Sequence, residues 1–222
     1  MSGYFVTGTD TDVGKTRVVA TLARALRERN GKPTIVKCVQ TGCEPGVPGD
    51  AARAGALAQS RFVELARFAK PADPWSAALA QGAPPLAAAD LAAAIGRIAG
   101  MLVVEGAGGI AVPLNADETL ADVARLCGLE TIVAVGLRLG CISHARLTLA
   151  YCERAGLRVG GVVLVERWSP VEPDYREDVE RALQDKARVL GILPFCADEP
   201  AAVTAGVSTF STLIDQAERK DQ

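Results

Sequence analysis

The sequence predicts an α/β protein of the P-loop NTPase type, a doubly wound, mainly parallel sheet with helices on both faces, folded as a single domain over residues 1–222. Three observations predict it. Short runs rich in β-branched residues alternate with longer segments of helical period, the pattern that parallel strands and crossover helices produce. The first apolar run leads through GTDTDVGKT, Gly8 to Thr16, straight into a helical pattern, which is the strand, loop and helix setting of a phosphate-binding loop. A length of 222 residues suits one large α/β domain, and no internal repeat or low-complexity segment divides it.

Taken in order, the expected strands are YFVTG (4–8), PTIVKCV (33–39), MLVVEG (101–106), TIVAVG (131–136), VGGVVLV (159–165) and ARVLGIL (187–193). Each is short, apolar and bounded by glycine, proline or charge, as buried strands are. Helical periodicity fills the intervals at 15–29, 50–59, 87–98, 120–126, 143–154 and 175–186. Two Pro- and Gly-rich stretches, 40–50 and 70–85, read as surface loops. In sheets of this kind ligands bind outside the carboxyl ends of the strands, so the residues that follow each strand are the first candidates for a site.

Composition narrows the classes of partner. With 24 basic and 26 acidic side chains the formal charge is −2, so no basic field is available for nucleic acid or an acidic membrane. The start, MSGYFVTG, lacks a basic segment followed by a long apolar one, and no run of about 18 apolar residues occurs, so neither export nor membrane spanning is expected. The six cysteines, Cys38, Cys43, Cys127, Cys141, Cys152 and Cys196, show no C-x-x-C spacing and mostly lie in apolar segments, as free thiols in a reducing cytoplasm do.

The opening loop departs from the usual P-loop by one residue: Gly8 and Gly14 enclose Thr9, Asp10, Thr11, Asp12 and Val13, where the standard pattern has four. The chemistry is unaffected. Backbone N–H groups at the helix start converge on one point, Lys15 adds charge, and Thr16 offers a hydroxyl to Mg²⁺. The competing reading is a glycine turn capped by a threonine. A P-loop alone names only a nucleoside triphosphate and leaves transferases, GTPases and switch ATPases open.

Further candidates stand at other strand ends. Lys37 closes the second strand, where a buried ammonium needs an anion, although a lysine stem snorkelling over apolar surface fits the same position. Glu105 ends the third strand and a turn through Gly106, Ala107, Gly108 and Gly109 follows, which reads as a Mg²⁺ ligand at the ligand edge of the sheet. Asp50 opens the second helix and reads either as a second carboxylate for the metal or as a helix N-cap. The helix beginning at Gly140 exposes unpaired N–H groups to which a carboxylate can bind. His144, the only histidine, has no identifiable catalytic partner and reads as structural or interfacial.

The combination GTDTDVGKT, Lys37 with Thr41-Gly42, VEGAGG at 104–109 and LGCISHARLT at 139–148, in this order and spacing, resembles the dethiobiotin synthetase family over about 4–194. The longer P-loop is that family's form. The resemblance implies an ATP- and Mg²⁺-dependent cyclo-ligase of biotin biosynthesis. It would convert 7,8-diaminopelargonate and CO₂ to dethiobiotin through a carbamate and its mixed anhydride with phosphate. It assigns catalysis to Lys37 and Lys15, and Mg²⁺ to Thr16, Asp50 and Glu105. The nucleotide falls to Asp12, Val13, Gly14, Lys15, Thr16, Asp50, Glu105, Gly106, Ala107, Gly108, Val165, Glu166, Pro194, Phe195 and Cys196. The diamine falls to Thr11, Lys37 and Thr41, and to Gly140, Cys141, Ile142 and Ser143 reaching across a homodimer interface.

Three positions depart from the family pattern: Cys38 in place of a proline, Val165 in place of the asparagine that reads adenine, and Pro74-Trp75-Ser76 in place of a Ser-Pro-His stretch. A valine makes no amide hydrogen bonds. Weak base discrimination is therefore expected, with backbone groups near Val165, Glu166 and Pro194 to Cys196 reading the base and other nucleoside triphosphates competing with ATP. The alternative class is a switch ATPase of the partition or site-placement type. It gives no reason for Lys37, Thr41 and Glu105 to occur together, and FSTLIDQAERKDQ lacks a basic amphipathic tail.

Overall fold

The computed structural model describes residues 1–220, so Asp221 and Gln222, the end of the tail segment considered above, lie outside the described residues. Nine strands occur among them: β1 (Ser2–Gly8), β2 (Thr34–Lys37), β3 (Gln40–Thr41), β4 (Arg61–Glu64), β5 (Arg67–Phe68), β6 (Met101–Gly109), β7 (Glu130–Gly136), β8 (Val159–Val165) and β9 (Val189–Leu193). Seven form one sheet in the order β4-β2-β6-β1-β7-β8-β9, every pairing parallel. β3 and β5 form a separate two-stranded parallel pair.

The helices are α1 (Lys15–Glu28), α2 (Asp50–Ala58), α3 (Pro74–Ala80), α4 (Ala88–Gly96), α5 (Leu120–Cys127), α6 (Cys141–Arg154), α7 (Pro173–Leu183), α8 (Glu199–Ala205) and α9 (Ser211–Lys220), with a 3₁₀ turn at Val207–Phe210. They cover both faces of the sheet. Because successive strand side chains point to opposite faces, Phe5 enters one core layer while Tyr4 and Val6 enter the other. The Phe5 layer takes in Leu91 and Ile95 of α4, Val123 of α5, Leu149 of α6 and Leu183 of α7. The opposite layer takes in Val18, Val19 and Leu22 of α1, Ala54 of α2, Val203 of α8, and Leu213 and Ile214 of α9.

The six expected strands and six expected helices are all present. The differences fall where apolar periodicity is weak. β4 is an edge strand whose residues are half-buried or exposed, so it lacks the continuous apolar run that marks an inner parallel strand. β6 continues through Gly109 rather than turning after Glu105, with Gly108 at φ 62 and a shift of register against β1. The stretch 70–85 is not all loop: Asp73 caps α3 by accepting from the backbone N–H of Ser76 at 2.9 Å, and Pro74 occupies the first turn, where its missing N–H costs nothing. Likewise 40–50 contains β3.

Candidate functional site

β1 is the central strand, and α1 begins beside its carboxyl end between the ends of β6 and β7. Gly14 caps α1 with φ 95, a left-handed conformation that glycine takes without steric cost, and the first helical residues are Lys15 and Thr16. The loop thereby aims the helix's free N–H groups into a cleft of about 840 Å³. Lys15 is buried, and its Nζ donates to the carbonyl of Asp10 within the same loop at 2.7 Å. Burial pulls the Lys15 pKa down to about 8, against the opposing pull of Glu105. A buried ammonium leaning on one carbonyl is prepared for an anion that would restore its charge.

Beside it Lys37 is 3% exposed, which rules out the snorkelling surface lysine. Its Nζ donates to Asp50 Oδ2 at 2.6 Å, to Glu105 Oε1 at 2.7 Å and to the carbonyl of Gly106 at 3.3 Å. Burial alone would lower the Lys37 pKa, but Glu105 and Asp50 outweigh it and the net shift is upward. The ammonium therefore stays charged. β2 and β6 pair with Lys37 opposite Glu105 in register, so the sheet itself sets this contact.

Thr16 Oγ1 donates to Glu105 Oε1 at 3.0 Å, joining the P-loop to the same carboxylate. Glu105 is 1% exposed, and its second oxygen, Oε2, is buried with no hydrogen-bond partner. Asp50 is not the helix cap: Gly49 occupies that place, Gln40 Oε1 accepts the N–H of Asp50 at 2.8 Å, and the Asp50 carboxylate is left facing Lys37. A threonine hydroxyl, one carboxylate with an orphaned oxygen and a second carboxylate across the cleft make an oxygen set that fits Mg²⁺, which takes one or two carboxylates and completes its shell with water and phosphate.

The cleft brings together Thr11, Asp12, Gly14, Lys15, Thr16, Lys37, Thr41, Asp50, Glu105, Ala107, Gly108, Phe195 and Cys196 from the expected set. Val13, Gly106, Val165, Glu166 and Pro194 do not line it. Val13 and Val165 are core residues; Val165 is fully buried and packs beneath Gly14, where an added Cβ would meet its Cγ1 at 2.8 Å. Glu166 is also buried and acts as a brace, accepting from the backbone N–H of Val171 at 3.0 Å and of Phe195 at 2.8 Å and pairing with Arg176. Two backbone groups expected to read a base are thus engaged: Phe195 N–H by Glu166, and the Pro194 carbonyl by Arg17 at 2.5 Å.

Gly140 caps α6, which opens through Cys141, Ile142 and Ser143, and none of the four lines this chain's cleft. Cys141 is buried with Sγ 3.4 Å from the Tyr175 hydroxyl, while His144 is exposed on the same helix. Trp75 and Ser76 lie in α3 outside the cleft, though Asp73 and Pro74 line it. Residues that the sequence reading missed are Gln40, which fixes Asp50, and the cleft arginines Arg17, Arg53 and Arg167 with Glu199. Arg53 donates to Glu199 Oε2 at 2.9 Å, and Arg167 to Asp12 Oδ1 at 3.1 and 2.8 Å. Only the position of Arg167, just past the end of β8, gave any signal in the sequence.

A family model described as an AAA domain matches residues 2–199. The ATP-dependent dethiobiotin synthetase BioD of Rhodococcus jostii (strain RHA1) is 40% identical over 197 residues, 86% of this chain and 84% of that protein. The protein of the same name from Pseudomonas paraeruginosa (strain DSM 24068 / PA7) is 40% identical over 222 residues, 92% of this chain and 95% of that protein. Among solved structures, the septum site-determining protein MinD of Pyrococcus horikoshii OT3, complexed with Mg-ADP, aligns with a TM-score of 0.62 over 97% of both chains at 14% identity. At that identity the likeness is one of fold.

Proposed function

The chain belongs to the ATP-dependent dethiobiotin synthetases, and we propose that the residues at the carboxyl edge of its sheet divide the ligation between a phosphate side and a diamine side. The enzyme is an ATP-dependent ligase of biotin biosynthesis that forms dethiobiotin from 7,8-diaminopelargonate and CO₂. One amine nitrogen attacks CO₂ and loses a proton, giving a carbamate. A carbamate oxygen attacks the γ-phosphorus and ADP departs. The second amine then attacks the carbamoyl carbon, phosphate leaves with the C–O electron pair, and a proton is released as the urea ring closes.

Phosphoryl transfer of this kind is chiefly positioning and charge stabilisation, so no protein nucleophile is required. In our reading Gly14, Lys15 and Thr16 hold the triphosphate, with the backbone of Asp12 and Val13 completing the loop. Lys37, fixed and charged, stands where carbamate and γ-phosphate oxygens meet. Thr11 and Thr41 border the diamine, and Ala107 and Gly108 shape the floor between the two sides. Thr16, Asp50 and Glu105 would hold Mg²⁺, which when bound neutralises charge on the transferring phosphate. The observation that carries this division is Lys37, buried within 2.7 Å of both Asp50 and Glu105 beside the P-loop threonine.

We further propose a cytoplasmic homodimer in which the α6 start of one subunit, Gly140 to Ser143, meets the substrate carboxylate in the other. Its position outside its own cleft and the exposure of Leu139 (93%) and Leu147 (67%) beside it support this arrangement. Five buried free cysteines fit a reducing compartment, and among the described residues no helix is long and apolar enough to cross a membrane.

The test is incubation with Mg²⁺, ATP, bicarbonate and 7,8-diaminopelargonate, following phosphate release and the dethiobiotin mass. Phosphate and dethiobiotin should appear in equal amounts. ATP hydrolysis indifferent to the diamine would instead place the chain among the switch ATPases.

A further inference from the structure

We infer that Arg67 and Glu64, which stand outside the cleft, are positioning residues for the ligation: with Gln40 they seat the start of α2 so that the Asp50 carboxylate meets Lys37 at the Mg²⁺ site. The inference rests on the ligase reading for the roles of Asp50 and Lys37. It concerns two residues to which that reading gives no task.

β2 pairs with β4 on one side and with β6 on the other, so Glu64, Lys37 and Glu105 stand in one row across three strands. Residues paired in this way share a face of the sheet. Lys37 turns to Glu105 and Asp50, and the two oxygens of Glu64 accept instead from Arg67, at 2.5 Å from Nε and 2.9 Å from Nη2. A forked pair fixes the direction of the guanidinium as well as its charge.

The remaining nitrogen, Arg67 Nη1, donates to the carbonyls of Glu44 at 2.9 Å and Val47 at 2.8 Å and lies 3.0 Å from Cys43 Sγ. All three belong to the Pro- and Gly-rich stretch between β3 and α2, which has no apolar period to order it. One guanidinium thus gathers the loop that delivers Asp50. The separate pair β3–β5 sets Gln40 opposite Arg67 in register, which ties the same guanidinium to the amide that receives α2.

These groups converge on Gly49. Its φ of −84 is open to any residue, yet a Cβ there would meet Glu64 Oε2 at 2.6 Å and both Arg67 Nη2 and Gln40 Oε1 at 2.9 Å. The chain just before Asp50 therefore lies directly on the ion pair and the amide, with no room to slide. Gln40 Oε1 then accepts the Asp50 N–H at 2.8 Å, and Asp50 Oδ2 reaches Lys37 Nζ at 2.6 Å. The Asp50 side chain is itself 37% exposed, so this seat, rather than close packing, holds it in place. Neither Arg67 nor Glu64 lines the cleft, and their influence on the reaction passes through Asp50.

The experiment makes Arg67→Met and Asp50→Asn singly and together in the full chain. It measures kcat for dethiobiotin formation, Mg²⁺ affinity of the complex with a non-hydrolysable ATP analogue by calorimetry, and the thermal midpoint. Arg67→Met should lower kcat and Mg²⁺ affinity by about tenfold each, the weight of a residue that orients a metal ligand, while the analogue without Mg²⁺ binds within about twofold of wild type. In the Asp50→Asn background the same substitution should change both by less than about twofold, because residues that act through one another are not additive. Arg67→Lys keeps the charge without the fork and should not restore kcat. Glu64→Gln keeps the shape and should lose about threefold, again only while Asp50 is present, and it carries the cycle if Arg67→Met does not fold. Wild-type kcat and Mg²⁺ affinity in both Arg67→Met and Glu64→Gln, or equal losses with and without the Asp50 carboxylate, overturns the inference and leaves the ligase reading standing. No dethiobiotin from the wild type, while Mg²⁺ affinity still shows the coupling, sinks the ligase reading alone.

Discussion

The two sides of the cleft are built to different standards. On the side of β2 and β6, Lys37, Glu105, Asp50 and Thr16 form one connected set of short hydrogen bonds, with Lys37 and Glu105 almost wholly buried and held opposite each other by strand register. On the side of β8 and β9, the buried groups, Val165 and Glu166, serve the fold, and those facing the cleft are the half-buried Arg17 and Arg167 and a half-exposed phenylalanine. Rigid, desolvated charge is worth most where charge moves in the reaction, whereas exposed charge is screened. The contrast teaches that precision in this enzyme is concentrated on the β2–β6 side, where we propose that the carbamate and γ-phosphate meet, and that the β8–β9 side is held more loosely.

If that contrast is right, damage to the β2–β6 side should cost far more than damage to the opposite rim. Lys37→Ala should lower kcat by about a thousandfold or more while ADP affinity stays within about threefold, measured by dethiobiotin formation and calorimetry. Wild-type turnover in this variant would remove Lys37 from the mechanism. Glu105→Gln keeps the shape but removes the charge, and should lower kcat by about a hundredfold and raise the Mg²⁺ concentration needed for half-maximal rate.

A smaller effect, set by pH, sharpens the comparison within the phosphate side itself. Lys15 has its pKa pulled to about 8, whereas that of Lys37 is raised. A bound triphosphate favours charged Lys15, so nucleotide binding should take up a proton and weaken as pH rises through about 8, by up to about tenfold per pH unit. Calorimetry at pH 8.5 in buffers of different ionisation heat would show the uptake, and Lys15→Met should abolish it. For folding without nucleotide the sign is opposite. The unfolded chain binds more protons at Lys15 between pH about 8 and the ordinary lysine value of 10.5, so this residue's contribution to stability grows as pH rises through that window.

The smallest expected effect lies at the exposed rim. The Arg53–Glu199 pair joins α2 to α8 with both side chains about half exposed, so Arg53→Ala should change stability by under about 1 kcal/mol and the thermal midpoint by no more than about 4 °C. A larger fall would show that the rim is as tightly determined as the centre.

How much of this was legible follows from the same contrast. GTDTDVGKT, Lys37 and Glu105 stand out because each is polar chemistry at the end of an apolar strand, where the alternation of strands and helices already locates the ligand edge. Asp50 was visible, but its two readings were separated only by the backbone: Gly49 caps the helix and Gln40 takes its first N–H, which frees the carboxylate for Lys37. β4 was missed because a half-exposed edge strand carries no apolar run, and α3 because an alanine-rich segment between prolines reads as loop until Asp73 is seen to cap it. Arg17, Arg53 and Arg167 were missed for another reason. Long polar side chains in surface segments have no period, and where their charged ends fall depends on which strands become neighbours.

By itself the sequence determined the doubly wound sheet, the phosphate loop and the family, because apolar periodicity and a loop of fixed spacing are local properties of the chain. Only the tertiary structure decided that Lys37 is buried between Asp50 and Glu105, that Glu105 keeps one oxygen without a partner, and that Val165 lies under the P-loop. Those facts depend on the pairing of β2 with β6 and on the seating of α1 over the end of β8. Contacts between residues 13 to 151 positions apart carry no local signature, so their energies and geometries exist only once the sheet has closed its order.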